Sequence, residues 1–124
     1  MNRSHRPVFL SLHRIHLPLT GWVSITHRVT GVLLFLSLPF WLWLWQYSLR
    51  DAETFAQAQL WLAGGLSRLV LVLLLWWLIH HLLAGLRLLL MDLEFGTSLP
   101  VARRSAQWVA AGSLISLLLL LVLL

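Results

Sequence analysis

The chain has 124 residues, 60% of them hydrophobic and only 10% charged, with nine Lys or Arg against four Asp or Glu and a mean hydropathy of +0.86. A soluble domain carries about 25% charged residues, so this composition excludes an ordinary soluble enzyme and points to an all-α membrane protein. The absence of cysteine excludes disulfides, thiolate-held iron–sulfur clusters and cysteine nucleophiles, leaving histidine as the main transition-metal ligand.

Residues 1–20 carry Arg3, Arg6 and Arg14 with Pro7 and Pro18, and are expected to lie along the headgroups as a non-helical cytoplasmic arm. The apolar runs that follow start too late, and are too many, for a cleaved signal peptide. Residues 29–49, 69–86 and 105–124 carry no charge, each close to the ~20 residues that a helix needs to cross about 30 Å of hydrocarbon. They predict three transmembrane helices, over 21–47, 62–91 and 101–124, as one anchor filling residues 21–124 with no room for a separate soluble catalytic domain. Thr20 is the expected N-cap of the first helix, and Pro39 predicts a kink inside it. RDAETFAQAQ (residues 50–59) reads as a soluble loop, Gly96 as the stop of the second helix, and Ser98 with Pro100 as the start of the third.

Orientation follows from arginine. Arg3, Arg6, Arg14 and Arg28 flank the first helix at its start, and Arg87, Arg103 and Arg104 flank the second connection, whereas the first connection has only Arg50 and Arg68. The positive-inside rule puts the N-terminus in the cytoplasm and the C-terminus outside. Arginines gathered at the ends of apolar runs serve orientation and lipid headgroups, so the basic excess does not imply nucleic acid. Several of the eight tryptophans fall near helix ends, where they act as interfacial anchors. On the third helix Ala106, Ala110, Gly112, Ser113 and Ser116 offer small residues at helical spacing, a face on which another helix can pack closely.

Two polar clusters interrupt the apolar runs, and each admits a structural and a functional reading. In SITHRVTG (residues 24–31), Ser24 and Arg28 share a helix face, as do His27 and Gly31. A hydroxyl beside a guanidinium suits a quinone carbonyl or a haem propionate; the alternative is an Arg28 that snorkels to the interface and a His27 bonded to a neighbouring carbonyl. In IHHLLAGLRLLLMD (residues 79–92), His80 and His81 point about 100° apart, so they cannot serve one centre alike. His81 shares a face with Ala84, Gly85 and Leu88, a trough for a flat macrocycle, and Arg87 lies ~9 Å further along the helix, within reach of an anionic group on it. A haem iron held through His81, with its second ligand from another chain, satisfies this arrangement; a histidine bonded to a hydroxyl on another helix is the structural alternative. Asp51, Glu53, Asp92 and Glu94 fall in connections or at helix ends, and HExxH, GxSxG and Walker A patterns are absent, so hydrolase chemistry and a carboxylate proton relay are not expected.

RPVFLSLHRIHLPLTGWVSITHRVTG (residues 6–31) resembles the N-terminal signature of the cytochrome b subunit of succinate dehydrogenase, with an Arg-Pro followed by Ser-x-x-His-Arg-x-Thr/Ser-Gly. HLLAGLRLLLMD (residues 81–92) is similar to its second signature, His-x-x-x-Gly-x-Arg with an Asp five residues after the Arg. The resemblance implies a membrane anchor for a flavoprotein subunit and an iron–sulfur subunit in a bacterial inner membrane, its C-terminus periplasmic. It implies one haem b shared with a second, three-helix membrane anchor, and electrons from succinate delivered to ubiquinone. It assigns His81 as an axial haem ligand, Ser24 and Arg28 to the quinone site, and His27 and Arg28 to the propionate side, with Gly85, Arg87 and Asp92 supporting. The family often has a polar or aromatic residue after the Arg of the second signature; Leu88 stands there instead, removing one polar contact from the propionate side. His80 precedes the motif position and is assigned to hydrogen bonding or packing. A haem-free structural anchor of a related membrane oxidoreductase is the second reading.

Overall fold

The computed structural model describes residues 16–124, which form four helices: α1 (Leu19–Ser48), α2 (Ala52–Ala63), α3 (Gly65–Asp92) and α4 (Leu99–Leu123). Three of them, α1, α3 and α4, are long and apolar enough to cross a membrane. The expected arm over residues 1–15, with Arg3, Arg6 and Arg14, lies outside the described residues.

The N-cap of α1 is Pro18, in extended conformation, and not the expected Thr20. Its carbonyl accepts the Gly21 and Trp22 amides, so a proline lacking a donor still opens the helix. Pro39 deletes one bond of the ladder, but α1 continues through it to Ser48.

The stretch expected to be a soluble loop is helical. Asp51 Oδ1 accepts the Thr54 amide at 2.8 Å and Thr54 Oγ1 faces the Asp51 amide at 3.2 Å, a capping box that starts α2. The residues it releases, Ala52, Glu53, Ala56, Gln57 and Ala58, are mostly strong helix formers. The helix folds back on the end of α1: Ala58 and Leu44 are buried, Tyr47 donates to Gln57, and the rings of Trp43, Tyr47 and Trp61 stack at 5.2–6.0 Å between centroids. Gly64, extended at ψ 148°, separates α2 from α3, so the second spanning helix starts at Gly65 rather than at residue 62.

Glu94, not Gly96, ends α3. Glu94 takes a left-handed φ of 63°, its amide bonds Met91 O at 3.0 Å, and the Phe95 amide reaches back to Leu90 O at 2.9 Å. This is a Schellman closure that satisfies two terminal carbonyls. Gly96 supplies a second positive φ of 73° as the chain turns into α4, whose start at Ser98 with Pro100 in the first turn follows the expected signals.

The spanning helices pack as a thin three-helix unit. Ala84 of α3 and Ala106 of α4 are fully buried and meet Val23 of α1 and Val109 of α4 in the core. The small stripe on α4, expected to seek another helix, finds it within the chain: Ala106 and Ser113 are buried, and Ala110, Gly112 and Ser116 are half-buried, with buried Ala102 extending the stripe toward the start of the helix. Small residues let the backbones approach where lipid supplies no hydrophobic drive between helices.

The Thr54 amide, above all, holds the Asp51 carboxylate below the usual aspartate range. A carboxylate with a lowered folded pKa contributes stability above its unfolded value and loses it as pH falls through the folded value. Amide hydrogen exchange in the first turn of α2 is therefore expected to speed up, relative to the intrinsic rate, as pH is lowered through that window. Asp51→Asn, which caps without titrating, is expected to flatten the dependence.

Candidate functional site

α3 carries its polar side chains on two faces, and each face meets a different helix. His81 turns to α1. Its Nδ1 lies 3.0 Å from the His27 carbonyl oxygen and 3.4 Å from Thr30 Oγ1. Thr30 donates its own proton to the Thr26 carbonyl at 2.8 Å, with the His27 carbonyl at 3.0 Å, so both oxygens facing His81 act as acceptors. A peptide carbonyl cannot donate, which assigns the hydrogen of a neutral His81 to Nδ1 and leaves the lone pair on Nε2. That is the tautomer in which an imidazole ligates a metal through Nε2 while its other nitrogen is anchored.

The His27 ring stacks on the His81 ring, with centroids 4.1 Å apart and planes 12° from parallel. Two glycines make room. A Cβ at Gly31 would stand 2.9 Å from His81 Cε1, and one at Gly85 would stand 3.2 Å from His27 Nε2. Each imidazole thus occupies a socket left by a glycine of the opposite helix. Ser24 and Arg28 lie further round α1, ~60° and ~100° from His27 at about 100° per residue. Ser24 is half-buried and Arg28 exposed, beside the His27–His81 pair on a face that neither α3 nor α4 covers.

Two expectations about the second cluster do not hold. Ala84 is fully buried among Val23, Ala106 and Val109, so it belongs to the core and not to a trough beside His81; Gly85 is covered by His27. Arg87 does not share the side of His81. Six residues advance the helix by ~9 Å but also turn it by about 120° net, which carries Arg87 round toward α4. There its Nε donates to Ser105 Oγ at 2.9 Å and its Nη2 to the Ala102 carbonyl at 3.1 Å. Asp92 is exposed at the end of α3.

His80 also faces α4. It is 5% exposed, with Nδ1 3.0 Å from Ser113 Oγ, and Trp76 Nε1 donates to the same hydroxyl at 2.9 Å and to the Ser113 carbonyl at 3.0 Å. Thr30, Trp76 and Ser105 are the site neighbours that spacing alone does not single out. A signal exists: Ser105 and Ser113 are two helical turns apart, opposite Arg87 and His80, which are also two turns apart.

A family model described as succinate dehydrogenase/fumarate reductase transmembrane subunit matches residues 2–120. The chain belongs to that family. It is 39% identical over 115 residues to the succinate dehydrogenase cytochrome b556 subunit of Coxiella burnetii, covering 92% of each chain. It is 33% identical over 122 residues to the subunit of the same name from Paracoccus denitrificans, covering 98% of this chain and 94% of that one. The resemblance carried by residues 6–31 and 81–92 is thereby borne out over residues 2–120, and the chain is a multi-pass membrane protein of the succinate dehydrogenase cytochrome b kind.

The glycine sockets yield a direct test. Gly31→Ala puts its methyl group inside contact distance of His81 and is expected to lower the melting temperature of the detergent-solubilised complex, by the equivalent of about 1–3 kcal/mol of overpacking. Gly21→Ala, whose Cβ would meet nothing nearer than a Leu17 methyl at 3.4 Å, serves as the neutral control.

Proposed function

We propose that this chain is the haem b-bearing anchor of a bacterial succinate:quinone oxidoreductase, in which electrons from succinate pass through an iron–sulfur subunit to ubiquinone. The observation that carries this reading is the bond between His81 Nδ1 and the His27 carbonyl, which leaves an anchored imidazole with its Nε2 lone pair free of any hydrogen bond to the described residues. The donor set fits the group: a neutral imidazole on a rigid helix, oriented by a backbone acceptor, beside an uncovered helix face. Haem b bound there would supply one-electron transfer between the two halves of the assembly.

In this reading His81 would hold the haem iron through Nε2, and a further ligand would come from the other membrane anchor of the complex. His27 and Arg28 would meet the haem propionates. Ser24 donates a hydrogen bond to a quinone carbonyl, and the Arg28 guanidinium stabilises negative charge that develops on the quinone oxygen. Both side chains sit on α1, one turn apart, so a rigid helix holds their spacing. The flavoprotein and iron–sulfur subunits dock at the side bearing the α3–α4 turn, which the arginine asymmetry assigns to the cytoplasm of an inner membrane; the C-terminus is periplasmic.

The close stack of His27 on His81 favours a second reading, because two imidazoles packed in glycine sockets also make a stable helix contact with no cofactor. Such a chain would be a structural anchor only. Reduced-minus-oxidised spectra of the purified complex separate the two.

His81→Ala is expected to abolish or strongly weaken the haem b absorption of the complex; an unchanged spectrum would sink the ligand assignment. Ser24→Ala and Arg28→Leu are expected to lower quinone reduction while succinate oxidation with an artificial acceptor persists. Loss of both activities together would mark failed assembly and count against the quinone-site role.

A further inference from the structure

Arg87 is 8% exposed, at the end of the polar seam between α3 and α4 that is nearer their turn, and no carboxylate among the described residues pairs with it. Ser105 and the Ala102 carbonyl satisfy Nε and Nη2 but bring no negative charge, and Nη1 has no acceptor among the described residues. Asp92, the last residue of α3, and Glu94, in the turn beyond it, are the acids nearest in sequence, and both are exposed. A guanidinium at membrane depth that keeps its charge needs an anion or water.

Arg87 also lines the groove between α3 and α4, about 340 Å³ in volume, together with Leu86, Leu90, Phe95, Ser105 and Trp108. Four of the five α3 residues of this groove, Leu83, Leu86, Arg87 and Leu90, fall within about 60° of the direction opposite His81 at 100° per residue, and the fifth, Met91, lies to one side. The groove therefore opens away from the face that carries the His27–His81 pair. Across Trp108, which is 77% exposed, a second depression is lined by Arg104 and Gln107. An apolar trough, an exposed tryptophan and two arginines with no carboxylate partner among the described residues match one chemistry, an acyl chain carrying a phosphate.

We propose that the α3–α4 groove binds an anionic phospholipid, its phosphate held by Arg87 with Arg104 at the rim and an acyl chain along Leu86 and Leu90. Arg87 sits five residues, ~7 Å, inside the end of α3, a depth that a phosphate entering past Phe95 and Gly96 and an extended guanidinium bridge between them. The fork geometry of arginine suits two phosphate oxygens, and Ser105 and Ala102 hold that fork in place before the lipid arrives.

The test uses the complete complex, purified in detergent. Native mass spectrometry and phosphorus analysis are expected to find an anionic phospholipid retained by the wild-type complex. Retention should fall several-fold in Arg87→Gln, recover in part in Arg87→Lys, and stay at the wild-type level in Arg103→Gln, an exposed arginine outside the groove. Equal retention in Arg87→Gln overturns the proposal. Should Arg87→Gln fail to assemble, the unmodified complex decides: after delipidation, phosphatidylglycerol is expected to raise its melting temperature and phosphatidylcholine to leave it nearly unchanged. Equal rises, which mean a purely apolar site, or no rise with either lipid, which means that a carboxylate from elsewhere in the complex neutralises Arg87, each overturn it.

Discussion

Adjacent imidazoles in hydrocarbon impose a demand that one neighbour cannot meet. His80 and His81 diverge by about 100°, so acceptors or donors for both must come from two sides of α3. The chain provides α1 on one side, through the His27 carbonyl, and α4 on the other, through Ser113. Once both bonds form, the rotation of α3 about its own axis is fixed, and so is the direction of every other side chain on it. Ala84 then falls into the three-helix core, Gly85 under the His27 ring, and Arg87 against Ser105. An apolar helix with no strong amphipathic face gains its orientation from a few polar contacts, which is how polar residues act in a medium where apolar faces are all alike.

The spans are legible in the sequence because lipid makes length and charge decisive: three uncharged runs near 20 residues have few other uses. The pairing of His81 with α1 is half legible, since a histidine beside a glycine one turn on marks a place where something flat or close must fit. Other features escape a reading that counts rise and neglects rotation. Arg87 is near His81 along the axis and far from it around the axis. Polarity alone makes α2 look like a loop, although Asp-x-x-Thr before an alanine-rich stretch is a start signal and Gly64-Gly65 a stop. Glu94 in the left-handed region is not legible at all, because two backbone bonds, and not its side chain, make that conformation acceptable.

Much of the molecule's surface is unfinished as it stands. Phe35, Val122 and many other large apolar side chains face outward, which suits lipid or the helices of a second anchor. The uncovered polar face, with Ser24 and Arg28 beside the paired imidazoles, is different in kind. It joins groups that cost free energy next to hydrocarbon, and they become reasonable once another protein chain, a quinone or a haem covers them. In membrane anchors of this family an exposed polar face at helix depth is thus a record of what the rest of the assembly supplies.

The acceptor that orients His81 is a main-chain oxygen. Every amino acid brings one, so replacing the side chain at position 27 leaves the hydrogen bond to Nδ1 in place and with it the choice of tautomer. The imidazole of His27 is then free to be selected for the environment it creates above its neighbour, independently of the anchoring that the peptide group provides. Two tasks usually borne by one side chain are split between backbone and ring, and the electronic character of the pocket can drift over evolutionary time without loosening its geometry.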